Sequence, residues 1–305
     1  MNDQFRDGSQ PGPLLAIDWG TTSRRAWLLR DDGEILASLA DGRGMLSIPQ
    51  GGWETAFAEL KRELGGAEPR LSLVAGMAGA DRGWRNAGYL PLPATADDLA
   101  SGLCWIEPGA VAIVPGLAVT AEGTADVMRG EETQILGALA ADLVPANCFA
   151  CHPGTHTKWV TVDDGRVAAF RTVMTGELFA MLTKHSILAD RLVGEVTAGP
   201  DFDAGMERGL ATGEAIADLF AVRADVLSGA ARIGNGAAYA SGLLIGADVR
   251  IGLAMSDERE VYVIARPDLA ALYVRAIERS GRSAVMVDGG SAVVAGLRRI
   301  GELVK

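Results

Sequence analysis

The feature that most constrains the fold of this chain is a module written twice. Leu14-Leu15-Ala16-Ile17-Asp18 is a short apolar run ending in an acid, and Gly20-Thr21-Thr22 follows it. A second strand is expected from Arg25 to Arg30, a hairpin turn at Asp31-Asp32-Gly33, and a third strand from Glu34 to Ser38. Beginning at Cys148 the order recurs. Cys148 to His152 enters Pro153-Gly154-Thr155-His156-Thr157, Lys158 to Val162 leads to Asp163-Asp164-Gly165, and a strand runs from Arg166 to Thr172. Agreement of two Gly-Thr turns and two Asp-Asp-Gly hairpins in order and spacing predicts an internal duplication.

Helical periodicity fills the intervals, at Trp53 to Leu64, Glu131 to Leu143, Gly176 to Leu188, Gly209 to Arg223, Ala237 to Leu253, Pro267 to Arg279 and Ala292 to Ile300. Strands are expected between them at Leu71 to Ala75, Val111 to Val114, Val261 to Ala265 and Ala284 to Val287. Strands alternating with helices in two halves predict two α/β lobes, residues 12–143 and 144–305, with the last helix free to pack back on the first. A length of 305 residues suits two cores, and 49% hydrophobic with 22% charged residues is globular composition.

A net charge of −11 without a Lys/Arg cluster argues against nucleic acid as a partner. No apolar run reaches the length of a membrane span, and Met1 to Gly12 is polar, so a cytoplasmic protein with reduced cysteines is expected. Cys148-Phe149-Ala150-Cys151-His152 matches a haem-attachment string, but it lies in an apolar strand and buried thiols are the better reading. No Gly-Lys pair completes a P-loop. The nearest dinucleotide-like string, Gly234-Asn235-Gly236-Ala237-Ala238-Tyr239, lacks its final glycine.

The chemistry-bearing residues gather at the repeated turns. Asp18 stands before Gly20, Thr21 and Thr22, whose N–H groups and hydroxyls suit phosphate oxygens while the acid holds a Mg²⁺-bound water. Gly154, Thr155, Thr157 and Lys158 form a second hydroxyl-rich turn with a cation. Either turn alone is equally readable as a hairpin between core strands; paired, they point to a triphosphate clamp. Glu131 and Glu132 open a helix, where the dipole favours ionised acids, and a carboxylate there can accept a hydroxyl proton during phosphoryl transfer. Solvated acids in a first helical turn are the plainer alternative. Arg25 and Arg171 are cations beside the turns, able to pair with a carboxylate of a ligand or of the protein.

The two turns resemble the phosphate motifs of the superfamily that joins sugar kinases, heat-shock chaperones and actin. More narrowly, Ala16 to Thr22, Ala75-Gly76-Met77-Ala78-Gly79, Ile113 to Leu117, Val127 to Gln134, Pro153 to Val160, Phe170 to Leu178 and Ser241 to Ala247 resemble the 2-dehydro-3-deoxygalactonokinase family. That resemblance implies an actin-like, ribonuclease H-like fold with a nucleotide cleft between two lobes. It implies ATP and Mg²⁺ as cofactors and phosphorylation of 2-dehydro-3-deoxy-D-galactonate at its 6-hydroxyl. It gives Glu131 the role of base, with Glu132 as the neighbouring alternative, and assigns Asp18 to the Mg²⁺-bound water. Arg129 joins Arg25 and Arg171 as sugar-acid contacts.

One stretch departs from the superfamily pattern. After the Val261 strand, where many sugar kinases carry a glycine-rich adenosine motif, the chain reads Ala265-Arg266-Pro267-Asp268; Gly289 and Gly290 can offer close backbone approach instead. Alternatives left open are a kinase for another 2-keto-3-deoxy sugar acid, a lapsed nucleotide or sugar-acid binder and a chaperone-like clamp. A homodimer is left open too.

Overall fold

The computed structural model describes residues 12–66, 68–120 and 125–304. All of the polar opening Met1 to Gly12 except its last residue lies outside them. The chain forms two compact units. Unit 1 takes residues up to Pro145, Gly165–Ala168 and Gly290 onward; unit 2 takes Ala146–Asp164 and Ala169–Gly289.

Unit 1 opens with β1 (Leu14–Trp19), β2 (Arg24–Leu29) and β3 (Ile35–Asp41), then α1 (Trp53–Glu63) and β4 (Leu71–Gly76). β5 (Tyr89–Pro91), α2 (Ala96–Ser101), β6 (Cys104–Glu107), β7 (Val111–Ile113), β8 (Gly116–Val119), β9 (Asp126–Met128) and α3 (Glu131–Ala140) follow. Its main sheet has the order β3-β2-β1-β4-β7-β6. β1 is antiparallel to β2 and parallel to β4, and β4 is parallel to β7. Burial explains the choice of centre, since β4 is buried along its whole length and β1 at every residue but Asp18, as parallel strands covered on both faces require.

Unit 2 carries β10 (Cys148–His152), β11 (Thr157–Asp163) and β12 (Arg166–Val173), then α4 (Thr175–His185), α5 (Pro200–Thr212), α6 (Ala215–Asp218), α7 (Ala221–Leu227) and α8 (Gly236–Leu253). β13 (Glu260–Ala265), α9 (Pro267–Arg279) and β14 (Ser283–Asp288) complete it, and α10 (Gly289–Leu303) returns the chain to unit 1. Its sheet runs β12-β11-β10-β13-β14, with β10 antiparallel to β11 and parallel to β13, and β13 parallel to β14. This repeats the β3-β2-β1-β4-β7 order of unit 1, so the duplication seen in the sequence is a duplication of topology.

The repeated Asp-Asp-Gly strings nevertheless make different turns. Asp164 and Gly165 both have positive φ, 49° and 72°, the pair of values a two-residue type I′ hairpin needs. In the first copy the Gly33 N–H donates to Arg30 O at 2.9 Å and the Arg30 N–H to Glu34 O at 2.9 Å, with only Gly33 at positive φ, a three-residue loop closed by a glycine bulge.

Two helix contacts are backbone to backbone. A Cβ on Gly205 would stand 2.0 Å from Tyr239 O and one on Gly246 2.2 Å from Met206 O, so α5 and α8 cross at glycines. In unit 1 a Cβ on Gly296 would stand 2.0 Å from Thr133 O, and this approach seats α10 on α3. The helix expected over Gly209 to Arg223 is corrected by α5, α6 and α7. Pro200 supplies the first turn of α5, and Gly213, left-handed at φ 66°, ends it where the apolar pattern ran on.

Candidate active site

The first turn hangs from the ends of β1 and β2. Asp18 faces Arg25 across the two strands, and the Arg25 Nη2–H donates to Asp18 Oδ2 at 2.6 Å. Thr21 and Thr22 are exposed in the loop that follows. The loop is braced from behind, because the Met45 N–H donates to Gly20 O at 2.9 Å and the Leu46 N–H to Thr21 O at 3.1 Å. Any side chain at Gly44 would strike the backbone of Thr21 to Ser23 at about 2.4 Å.

Beside β1, Gly76 ends β4 at φ 86°, where a Cβ would come within 2.7 Å of Trp19 O and 3.5 Å of Asp18 Oδ1. Gly130, the N-cap of α3 at φ 105°, approaches this same point, its Cβ position lying 3.3 Å from Gly76 Cα. Two glycines in conformations that other residues avoid thus let the start of α3 touch the strand that pairs with Asp18.

Both acids at the start of α3 fold back onto preceding N–H groups. Glu131 Oε2 accepts from the Arg129 N–H at 2.9 Å and stays partly exposed. Glu132 is fully buried. Its two oxygens accept from the Gly130 N–H at 2.9 and 2.7 Å, and the Thr133 hydroxyl donates to Oε1 at 3.1 Å. Burial first, then the negative charge of Glu131, pushes the Glu132 carboxyl up to about 7. Of the two sequence candidates for a base, Glu132 is therefore closed off and Glu131 is open.

Arg129 lays its guanidinium 4.3 Å over the Tyr89 ring and donates from Nη2 to Gly88 O at 2.9 Å. Its buried Nε and Nη1 have no protein acceptor among the described residues. A guanidinium so placed is prepared for an anion.

In unit 2, Gly154 and Thr155 form an open turn after β10; a Cβ on Gly154 would meet nothing within 4 Å. The start of α4 packs against it, for the Glu177 N–H donates to Thr155 O at 2.9 Å and a Cβ on Gly176 would stand 2.3 Å from Gly154 O. His156 and Glu177 are joined through Nε2 and Oε2.

Thr157 departs from its expected part as a hydroxyl facing phosphate. It is fully buried, and its Oγ1 lies 2.8 Å from Tyr273 Oη. Lys158 is also buried, at 3% exposure. Strand alternation at the start of β11 explains both, since neighbouring residues enter opposite packed faces. Arg171 is exposed on β12. Gly289 is buried and Gly290 half-buried at the start of α10; Arg266-Pro267 opens α9, with Pro267 in the first turn and Arg266 Nε paired to Asp268 Oδ1 at 3.0 Å.

Asp248, in mid-α8, was missed by sequence reasoning. It is 1% exposed, accepts the Trp159 indole N–H at 2.7 Å and the Tyr273 hydroxyl at 2.6 Å, and also takes the Thr175 hydroxyl. Its carboxyl is raised by burial against the opposing effect of these donors. The acid ties β11, α4 and α9 together, and the start of α4 in turn packs on the Gly154-Thr155 turn. A lone acid in the otherwise apolar stretch Leu243 to Val249 was the available signal.

The 2-keto-3-deoxy-galactonokinase family model matches residues 18–300. The chain belongs to that family. Among galactonokinase relatives it is 36% identical over 294 residues to the 2-dehydro-3-deoxygalactonokinase of Escherichia coli (strain K12), covering 95% of this chain and 98% of the relative. It is 37% identical to a Rhizobium meliloti (strain 1021) protein described as a probable enzyme of that name, covering 94% and 95%. The crystal structure of a Sinorhizobium meliloti protein assigned to the same activity superposes with a TM-score of 0.87 at 34% identity, covering 95% of this chain and 98% of that one. Component A of the (R)-2-hydroxyglutaryl-CoA dehydratase of Acidaminococcus fermentans shares the fold at TM-score 0.54 and 15% identity, covering 96% and 99%. The galactonokinase chain thus has the two-lobed α/β fold of actin-like ATPases and is a kinase.

Proposed function

We propose that this kinase transfers the γ-phosphoryl group of ATP to the 6-hydroxyl of 2-dehydro-3-deoxy-D-galactonate, in galactonate breakdown in the cytoplasm. The observation that carries the reading is the Gly76–Gly130 approach. It brings the start of α3, whose first residue Glu131 is partly exposed, to the strand end adjoining Asp18, and this supports the reading. Relatives that share the family and more than a third of the residues bear the name of this activity.

In this reading the N–H and hydroxyl groups of Gly20 to Thr22 and of Gly154-Thr155 contact phosphate oxygens of ATP. Glu131 orients the 6-hydroxyl and takes its proton as the new O–P bond forms and the bond to the ADP oxygen breaks. Glu132, neutral over much of the acidic range, fixes the Gly130 N–H and keeps a second negative charge away from the anionic reactants. Arg129 offers its two unpartnered N–H donors to oxygens of the reactants beside Glu131. Arg25 acts through Asp18 by holding its carboxylate. Thr157 and Lys158 support the second turn from within the packed strand, and Gly289 and Gly290 give adenosine a backbone approach at the start of α10.

Asp18 fits a Mg²⁺-bound water better than a direct ligand. One of its oxygens is taken by Arg25 and the other faces Gly76, and among the described residues no group of three His, Cys, Asp or Glu could cage a metal. Bound there with the nucleotide, Mg²⁺ would supply charge neutralisation on the phosphates.

The test is ADP release with Mg²⁺ and ATP across a set of 2-keto-3-deoxy sugar acids. The galacto acid should give the highest kcat/KM. Folded protein that is silent on every acid would remove the reading.

A further inference from the structure

A cavity of about 550 Å³ in unit 1 lies beside the segment that braces the Gly20-Thr21-Thr22 turn. Its lining includes Met45, Gln50, Trp53, Asp81 and Arg82. Resting on the kinase reading, we infer that this cavity is the seat of the sugar acid and that Arg82 anchors its carboxylate.

Both walls are suspended from the elements that carry the phosphate turn. The Met45 wall is bound through its backbone to Gly20 and Thr21. The other wall follows Gly76 and is pressed against the segment behind it, since a Cβ on Gly83 would stand 2.3 Å from Ala78 O and the Trp84 N–H donates to Ala78 O at 2.7 Å. A ligand held here is therefore positioned relative to Asp18 and the Gly20-Thr21-Thr22 turn by short, stiff connections.

The chemistry of the lining selects an anionic polyol. Neighbouring arginines are already committed: Arg24 and Arg43 to Asp41 and Glu63, Arg25 to Asp18, Arg85 to Trp105 O. Arg82 is exposed and makes no hydrogen bond or ion pair with another described residue. Asp81 has Oδ1 occupied by the Asn86 amide at 2.6 Å, and its other oxygen and the Gln50 amide suit hydroxyl groups. Trp53 is only 6% exposed, stacked on Trp84 at 6.3 Å with Trp19 edge-on at 5.1 Å. It offers an apolar edge to a carbon chain but no open face on which a nucleobase could stack. A neutral sugar would leave the Arg82 charge unanswered, whereas a carboxylate matches its fork.

Calorimetry with 2-dehydro-3-deoxy-D-galactonate and, separately, with ATP tests this on wild type, Arg82→Ala, Arg82→Lys and Arg129→Ala. Arg82→Ala should weaken sugar-acid binding about ten- to a hundred-fold, the loss of a charge-assisted pair, with ATP affinity unchanged and partial recovery in Arg82→Lys. In turnover, Arg82→Ala should raise the sugar-acid KM far more than it lowers kcat. Unchanged sugar-acid binding in Arg82→Ala, or loss of it in Arg129→Ala alone, would overturn the carboxylate assignment and leave the kinase reading standing. Wild type that binds no sugar acid would remove both.

Discussion

Glu132 gives the account a quantitative test in stability. Its carboxyl sits at about 7 in the folded chain against an ordinary 4.5, because burial and the charge of Glu131 penalise the ionised form. A folded-state value above the unfolded one means that the native state holds the proton longer. The Glu132 contribution is therefore fully present below pH 4.5 and is lost as pH rises through 7, where both states are ionised. A shift of this size corresponds to roughly 3 kcal/mol, most of which falls between pH 5 and pH 8. Glu132→Gln is nearly isosteric, retains an oxygen for the Gly130 N–H and cannot ionise. Urea unfolding of both proteins at pH 5, 6, 7 and 8 should show wild-type stability falling relative to the variant by about that amount. Parallel profiles would refute the argument, because they would mean that Glu132 is as hydrated when folded as when unfolded.

Asp248→Asn should keep the fold, since the amide oxygen can still receive the Trp159 indole, but its NH₂ group forces the Tyr273 and Thr175 hydroxyls to reverse. A loss of about 2 kcal/mol in stability and an about ten-fold rise in KM for ATP, with the sugar-acid KM unchanged, is the expected split; proportionate losses in both KM values would show that Asp248 does no more than hold the core. Gly130→Ala places a Cβ at φ 105° and against Gly76, which should cost about 1 to 2 kcal/mol and lower kcat by displacing Glu131, read from melting and initial rates. Full activity with unchanged melting would mean that the Gly76–Gly130 approach is not required.

Elements whose pattern is local were legible in the sequence. Pro267–Arg279 and Cys148–His152 have the bounds their periodicity and flanking prolines predict. The three- and four-residue strands β5, β8 and β9 left no such trace, because a strand that short is defined by its partners rather than by alternation. α5 starts ahead of the helix expected from Gly209, because Gly205 looks like a weak helix position until the backbone of Tyr239 and Leu243 is seen packed against it. At the site, the residues alone left Glu131 and Glu132 open, the family resemblance put Glu131 first, and burial sets the two apart. Thr157 illustrates the reverse, a hydroxyl in a phosphate-like string whose strand phase turns it into the core. Asp248 and Arg82 carry no local motif, and their meaning comes from residues far away in the chain.

The central claim is that Glu131 is the base of an ATP-dependent sugar-acid kinase, and Glu131→Gln tests it most directly. Coupled ADP release from 2-dehydro-3-deoxy-D-galactonate, measured beside ATP binding by calorimetry, should show robust turnover in wild type and a loss of about 10² to 10⁴ in kcat for the variant, with ATP affinity preserved. Near-wild-type turnover by Glu131→Gln, or no turnover by folded wild type, would contradict the account.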